Sequence, residues 1–187
     1  MGTQLVDLAR KFCTHYHNGQ FRKGSNEPYD THPFAVADIL ECNGYADDIT
    51  QCIAILHDTT EDTELRHREI REVFGFEIAN GVYILDKNTI DDGTMLLFNQ
   101  MTGTSLSKAT VYKMRIRLAR EKIQRCKIAD SIHNTRDLVN LRPQSIEEKI
   151  NDAEQFYIPL GQIVAPIMVQ ELARNIANYR EKVLSTR

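Results

Sequence analysis

Apolar residues recur three and four apart through most of the chain. Leu5, Leu8, Ala9, Phe12, Cys13 and Tyr16 follow the helical period, and Asn18-Gly19 is a stop signal. A polar loop, Arg22 to Pro28, precedes a second helix that opens at His32-Pro33, runs through Ala35, Val36, Ile39 and Leu40, and ends at Gly44. Asp47 and Asp48 then cap a third helix, Ile49 to His57, with acids at its positive end. Two further helices, Arg66 to Phe74 and Phe76 to Leu85, are broken at Gly75.

From Asp86 to Ser107 polar residues with scattered Gly and Thr surround an apolar island, Met95 to Phe98. This pattern predicts a long loop or lid carrying a single helical turn, and connections of that length are often functional. Thr110 to Arg125 reads as a basic amphipathic helix, continued or closely followed by Cys126 to Leu141. Arg142-Pro143 breaks the chain, and Ser145-Ile-Glu-Glu148 fits the capping box of a helix running to about Phe156. Pro159 and Pro166 interrupt the next stretch, and a last helix covers Val169 to Leu184. No repeat, low-complexity tract or alternating strand pattern is present. The expectation is one all-α domain over residues 1–187.

Composition narrows the function classes. At 187 residues the chain has room for one domain with a sizeable core. A net charge of −3 gives no support for general nucleic-acid or anionic-membrane binding, although a local basic pocket can still hold phosphates. No apolar run reaches the roughly 20 residues of a membrane span, and the N-terminus lacks the basic start and apolar run of a secretory signal. Cys13, Cys42, Cys52 and Cys126 are widely spaced and read as small buried hydrophobes in a reducing compartment. A cytoplasmic location is therefore expected.

Candidate chemistry lies in His32, the adjacent pair His57-Asp58, and Asp130. Two imidazoles and two carboxylates suit a borderline divalent ion such as Mn²⁺, Fe²⁺ or Zn²⁺ with positions left open for water or phosphate oxygen. Glu61 and Asp62 place two more carboxylates beside the pair, a combination that points to a metal-dependent phosphohydrolase. Spacing by itself specifies no site, because His32 and Asp130 are separated by more than half of the chain. A lone histidine on an apolar helix face is usually a core residue. The set gains force from its flanking words: Tyr29-Asp-Thr-His32-Pro33, Leu56-His57-Asp58-Thr-Thr-Glu61-Asp62-Thr63, and Lys127-Ile-Ala-Asp130-Ser-Ile-His133-Asn134-Thr-Arg136.

These words, with Arg22-Lys23, Phe74-Gly75, Gly81-Val82 and Tyr157-x-Pro159-Leu160, occur in the order found in the hydrolase half of the RelA/SpoT homologues, a branch of the HD superfamily. The chain resembles that family from Arg22 to about Leu160. The resemblance implies an HD-type helical bundle that removes the 3′-pyrophosphate from ppGpp and pppGpp with Mn²⁺, or another divalent metal, as cofactor. It implies His32, His57, Asp58 and Asp130 as metal ligands and Glu61 and Asp62 as the acids that orient or activate water. It implies Arg22, Lys23 and Asn134 as nucleotide contacts. Arg136 and His133 divide between a contact and a structural role, with Arg136 kept among the substrate-binding candidates. His57 and Asp58 are about 100° apart on an ideal helix, so a helix end or bend is needed for both to face one ion. The cations Lys113, Arg115, Arg117, Arg120 and Lys122 read as a solvated face from which one or two could reach a pyrophosphate.

Some positions differ within the family. Tyr83-Ile84 stands where members carrying a synthetase domain have Thr-Lys, whereas Asp86-Lys87 and Asp137 are similar to the stand-alone small hydrolases. The segment after Leu160 is too short for a synthetase domain, so a stand-alone alarmone hydrolase is expected, with guanine or adenine as the base. A small-molecule nucleotide is the expected partner, with neither nucleic acid nor membrane. The rival readings are another HD-type nucleotide phosphohydrolase, such as a 5′-nucleotidase or an NADPH phosphatase, and a nucleotide sensor without turnover.

Overall fold

The computed structural model describes residues 3–22, 24–136, 138 and 141–185. Among them no strand is formed, and helix follows helix as the all-α reading expects. Thr3 caps α1 (Gln4–Tyr16) by accepting from the Val6 amide. The loop to α2 (Thr31–Cys42) is drawn shut by an isolated antiparallel bridge between Phe21 and Pro28. Asp47 accepts from the Thr50 amide and hydroxyl and starts α3 (Asp48–Leu56), as its sequence signal predicts.

Every residue of α3 from Thr50 to Leu56 is buried. A helix that is apolar on all faces belongs at the centre of a core, and α1, α2, α5 (His67–Leu85) and α8 (Glu121–Arg136) pack around it. Gly75 breaks α5 with φ 83° and ψ 173°, a conformation glycine adopts without steric cost. Six residues later Gly81 lets the helix approach α3 so closely that a Cβ there would collide with the Ile53 side chain. Between α3 and α5 lies α4 (Thr59–Asp62), a single turn.

The segment expected to be a loop with one turn is instead a 3₁₀ turn, Lys87–Thr89, followed by α6 (Asp92–Thr102). Asp91 caps α6 by accepting from the Thr94 amide, and Gly103 ends it at φ 67°. These two capping residues bound the helix, and although none of its residues is fully buried, Met95 and Phe98 pack against the core. The predicted basic helix Thr110 to Arg125 is also divided. α7 (Lys108–Leu118) stops short of α8 because the Gln124 side chain donates to the Ile116 and Arg117 carbonyls and satisfies the end of α7.

Ser145 does not cap a helix. α9 (Pro143–Asp152) starts two residues earlier, with Pro143 in the first turn, where its missing N–H is no loss. The chain then stays helical through a π-turn, Ala153–Tyr157, into α10 (Ile158–Val164), so Pro159 does not interrupt it. The wide turn falls just ahead of Pro159, whose ring lacks the N–H that a regular helix would need. α11 (Pro166–Ser185) closes the bundle against α8 and α10. Cys13, Cys52 and Cys126 are buried and free as expected, whereas Cys42 is exposed at the end of α2.

Candidate metal centre and adjoining cavity

α2, α3 and α8 pack against one another, and their contact brings His32, His57 and Asp130 to one point. The three are 1%, 4% and 5% exposed. α3 ends at Leu56 and α4 begins at Thr59, so His57 and Asp58 occupy the bend between them and face the same centre. His32 Nε2 lies 3.1 Å from Asp130 Oδ1 and 3.5 Å from Asp58 Oδ2, and His57 Nε2 lies 3.2 Å from Asp58 Oδ1. Donors about 2.1 Å from one ion, at octahedral or tetrahedral angles, stand about 3 to 3.5 Å apart. His57 Nε2 to Asp130 Oδ1 is somewhat wider, at 3.9 Å.

Ring orientation supports the same use. His57 Nδ1 donates to the Ala54 carbonyl at 2.7 Å, which leaves its buried Nε2 without a hydrogen-bond partner. His32 Nδ1 lies 2.7 Å from His133 Nδ1, so one of the two rings carries the proton between them. With that proton on His32, its Nε2 is also free to donate a lone pair. An orphaned buried imidazole nitrogen amid two carboxylates fits a divalent cation.

Electrostatics are tightly balanced here. Burial opposes charge on Asp130, but Lys127, donating to its Oδ2 at 2.6 Å, and the neighbouring histidines hold it well below the usual carboxylate range. Asp58 is likewise lowered by His57 and His32 against its burial. Burial also disfavours a charged His57, yet Asp58 and Asp130 raise its pKa to about 9. Burial dominates at His32 and pushes its pKa down. His133 falls to about 4, from burial and then from the positive groups His32, Arg22 and Arg136.

A cavity of about 750 Å³ opens beside this cluster. Asp58, Glu61, Asp62 and Asp130 are among its lining residues, as are the cations Arg22, Lys87, Lys127 and Lys149. Glu61 accepts from the Lys87 amide at 3.1 Å and from Lys87 Nζ at 3.4 Å. The Tyr29 hydroxyl stands 2.8 Å from Asp58 Oδ2 and 2.9 Å from Asp62 Oδ2, tying the two acids together. The Arg22 backbone N–H donates to the Glu27 carbonyl at 2.9 Å, and its guanidinium lies over the Tyr29 ring.

The sequence-predicted residues thus divide. His32, His57, Asp58 and Asp130 converge, while Glu61, Asp62, Arg22 and Asn134 border the same cavity, Asn134 donating to Asp130 Oδ1 at 2.5 Å. Arg136 is not brought to them. It lies two residues beyond Asn134, about 200° around the helix, and pairs with Glu171 at 2.7 Å. Lys23 lies outside the described residues. None of the five predicted cations from Lys113 to Lys122 lines the cavity: Lys113 pairs with Asp152, Arg120 with Glu77 and Lys122 with Asp47, Arg115 binds Thr89 and the Asp86 carbonyl, and Arg117 lies over Phe156. Sequence reasoning missed Tyr29, Lys87, Lys127 and Lys149 as cavity residues. The first three sit inside motifs that the sequence marks, whereas Lys149 has no motif to mark it.

Known proteins share this outline. A profile of the HD domain family matches residues 9–162. A GTP pyrophosphokinase of Streptomyces coelicolor is 33% identical over 157 residues, which are 83% of this chain and 17% of that protein. The guanosine-3′,5′-bis(diphosphate) 3′-pyrophosphohydrolase of Haemophilus influenzae is 36% identical over 149 residues, 78% of this chain and 20% of that protein. The chain therefore spans about a fifth of the length of these curated relatives. A solved structure described as a metazoan ortholog of SpoT that hydrolyzes ppGpp superposes with a TM-score of 0.75 at 18% identity, covering 96% of this chain and 97% of that one.

Proposed function

The chain belongs to the HD domain family, and from that premise we propose that it is a divalent-metal-dependent pyrophosphohydrolase of guanosine or adenosine polyphosphates, cleaving the 3′-pyrophosphate of ppGpp, pppGpp or their adenine counterparts. The observation that carries this reading is the juxtaposition of His32, His57 and Asp130, with Asp58 beside them, and a cavity lined by four cations. The Haemophilus relative, named as a hydrolase of this type, and the ppGpp-hydrolysing structural neighbour support it.

His32, His57, Asp58 and Asp130 would hold the ion, with Mn²⁺ as the favoured metal. Such an ion supplies Lewis acidity toward water and phosphate oxygen. The remaining work falls to the chain's own side chains. Glu61 takes the proton of the attacking water, and Asp62, steadied by Tyr29, orients that water. Arg22, Lys87 and Lys149 balance phosphate charge, Arg22 in the bidentate manner open to a guanidinium. Asn134 holds Asp130 rather than reaching the nucleotide first. No described helix is long and apolar enough to cross a membrane. A small nucleotide as partner and a cytoplasmic location complete the proposal.

The test is incubation of the protein with Mn²⁺ and, separately, ppGpp, pppGpp and ppApp, with products resolved by anion exchange. Pyrophosphate with GDP, GTP or ADP is the expected result and identifies the base. Orthophosphate instead would move the assignment to another nucleotide phosphohydrolase. Intact substrates with metal bound would make the protein a sensor.

A further inference from the structure

Asp86 is 2% exposed and stands behind the cavity wall. Burial disfavours its charge, but His67 and the Asn88 amide keep its pKa below the usual value, so the side chain is an acceptor that needs donors on both oxygens. The oxygens are used differently. Oδ1 accepts from the Asn88 amide at 2.8 Å and forms the 3₁₀ turn. Oδ2 accepts from the Thr60 hydroxyl at 3.0 Å and from His67 Nε2 at 2.8 Å, joining α4 to the first residue of α5. The Asp86 carbonyl accepts from Arg115 of α7 and from Thr89.

Two of the attachments lead to Glu61: Thr60 and the turn that holds Lys87 and Asn88. Thr60 is its neighbour in α4. Lys87 donates to both of its carboxylate oxygens, and Asn88 Nδ2 donates to its backbone carbonyl at 3.2 Å. α4 is one turn long and buries only Thr59. A lone turn has no stability of its own, so packing does not fix where the Glu61 carboxylate sits.

We propose that Asp86 is a positioning residue for Glu61: through Thr60 on one oxygen and the Lys87–Asn88 turn on the other, it sets the carboxylate beside the point of water attack. This rests on the reading of Glu61 as the proton-accepting acid. A cap that merely shaped the turn would need Oδ1 alone; the Oδ2 bond to Thr60 is the feature that ties the hub to α4.

The test is a double-mutant cycle on ppGpp hydrolysis with Mn²⁺, pairing Thr60→Val with Glu61→Gln. Thr60→Val removes the tie to α4 while leaving Asp86 bonded to His67 and Asn88, and an unchanged thermal midpoint checks that the fold is kept; Asp86→Asn is the second variant. A misplaced catalytic group costs up to about 100-fold in rate, so both should lower kcat by about 10- to 100-fold with KM and Mn²⁺ affinity unchanged. In the Glu61→Gln background Thr60→Val should have no further effect, because the group it positions is gone. Thr60→Val with wild-type kcat, or a loss fully additive to that of Glu61→Gln, would overturn the inference alone. Full turnover by Glu61→Gln would overturn the reading of Glu61 as the proton acceptor and the inference with it, whereas a wild-type protein that leaves ppGpp, pppGpp and ppApp all intact would overturn the functional reading itself.

Discussion

The two walls of the cavity are held in place by different forces. At the metal-ligand wall, His32 and Asp130 project from α2 and α8, and His57 behind them follows directly on α3; α3 is buried from Thr50 to Leu56, and α8 buries nine of its sixteen residues. Their relative placement is a consequence of helix packing. On the acid wall, Glu61 and Lys87 belong to a single helical turn and a 3₁₀ turn, followed by α6, and the 3₁₀ turn and α6 bury no residue. That wall is held by side-chain hydrogen bonds. The difference teaches that ligand geometry cannot change without disturbing the core, whereas the acid wall can adjust to a substrate at the cost of a few hydrogen bonds.

The strongest way to break this contrast is to remove a ligand that is also part of the core. Asp130→Asn should abolish divalent-metal binding in a calorimetric titration. It also leaves Lys127, 12% exposed at its side chain, without its buried partner. Breaking one side of a buried pair costs about 3–5 kcal/mol, so the denaturation midpoint should fall correspondingly. Retained binding with an unchanged midpoint would show that the ligand wall does not depend on Asp130.

Acidity sharpens the same contrast. In the metal-free protein His57 has a pKa of about 9, above the unfolded value of 6.5. Its contribution to stability is therefore complete below pH 6.5 and is lost as pH rises through 9, about 3 kcal/mol by linkage. Asp58 and Asp130 act with the opposite sign. Their lowered pKa values stabilise the fold at neutral pH, and that stability is lost as pH falls from the usual carboxylate range to the lower values of the folded state. An ion taking His57 Nε2 displaces the proton, so apparent metal affinity should rise by about tenfold per pH unit up to 9. Titrations in buffers of different ionisation enthalpy count that proton; an affinity independent of pH would remove His57 from the ligand set.

A smaller effect is expected one shell out. His133 accepts from, or donates to, His32 Nδ1 at 2.7 Å, and loss of such a partner typically weakens metal binding about 10- to 100-fold. His133→Ala should show that loss and His133→Gln a part of it. Equal affinities in all three proteins would mean that packing alone orients His32.

Legibility in the sequence divides along the same line. α1 to α3, the Asp47 cap and the break at Gly75 were legible because the core wall is built from apolar periodicity and local backbone chemistry. The ligand residues were legible by type and by their flanking words. The bend that lets His57 and Asp58 face one point followed from helix geometry. The acid wall was harder. α6 was hidden because its apolar residues Leu96, Leu97 and Met101 face outward and follow no core period. The stop after α7 depends on the Gln124 side chain, and the start of α9 on Pro143 rather than on Ser145. Arg136 fell outside the cavity because a motif read along the chain ignores the turn of the helix.

The smallest predicted effect probes how far the hydrogen-bonded wall is independent of the core. α6 is defined by the Asp91 cap and the Gly103 stop and buries no residue, so its opening need not unfold the bundle. Losing an aspartate N-cap costs about 1 kcal/mol. Asp91→Ala should therefore speed amide exchange across residues 92–102 by about fivefold, that cost converted at 25 °C. Exchange in α3 and α8 should stay unchanged. If protection in α3 fell together with that in α6, the two walls would unfold as one unit, and the flexibility assigned to the acid wall would belong to the whole protein.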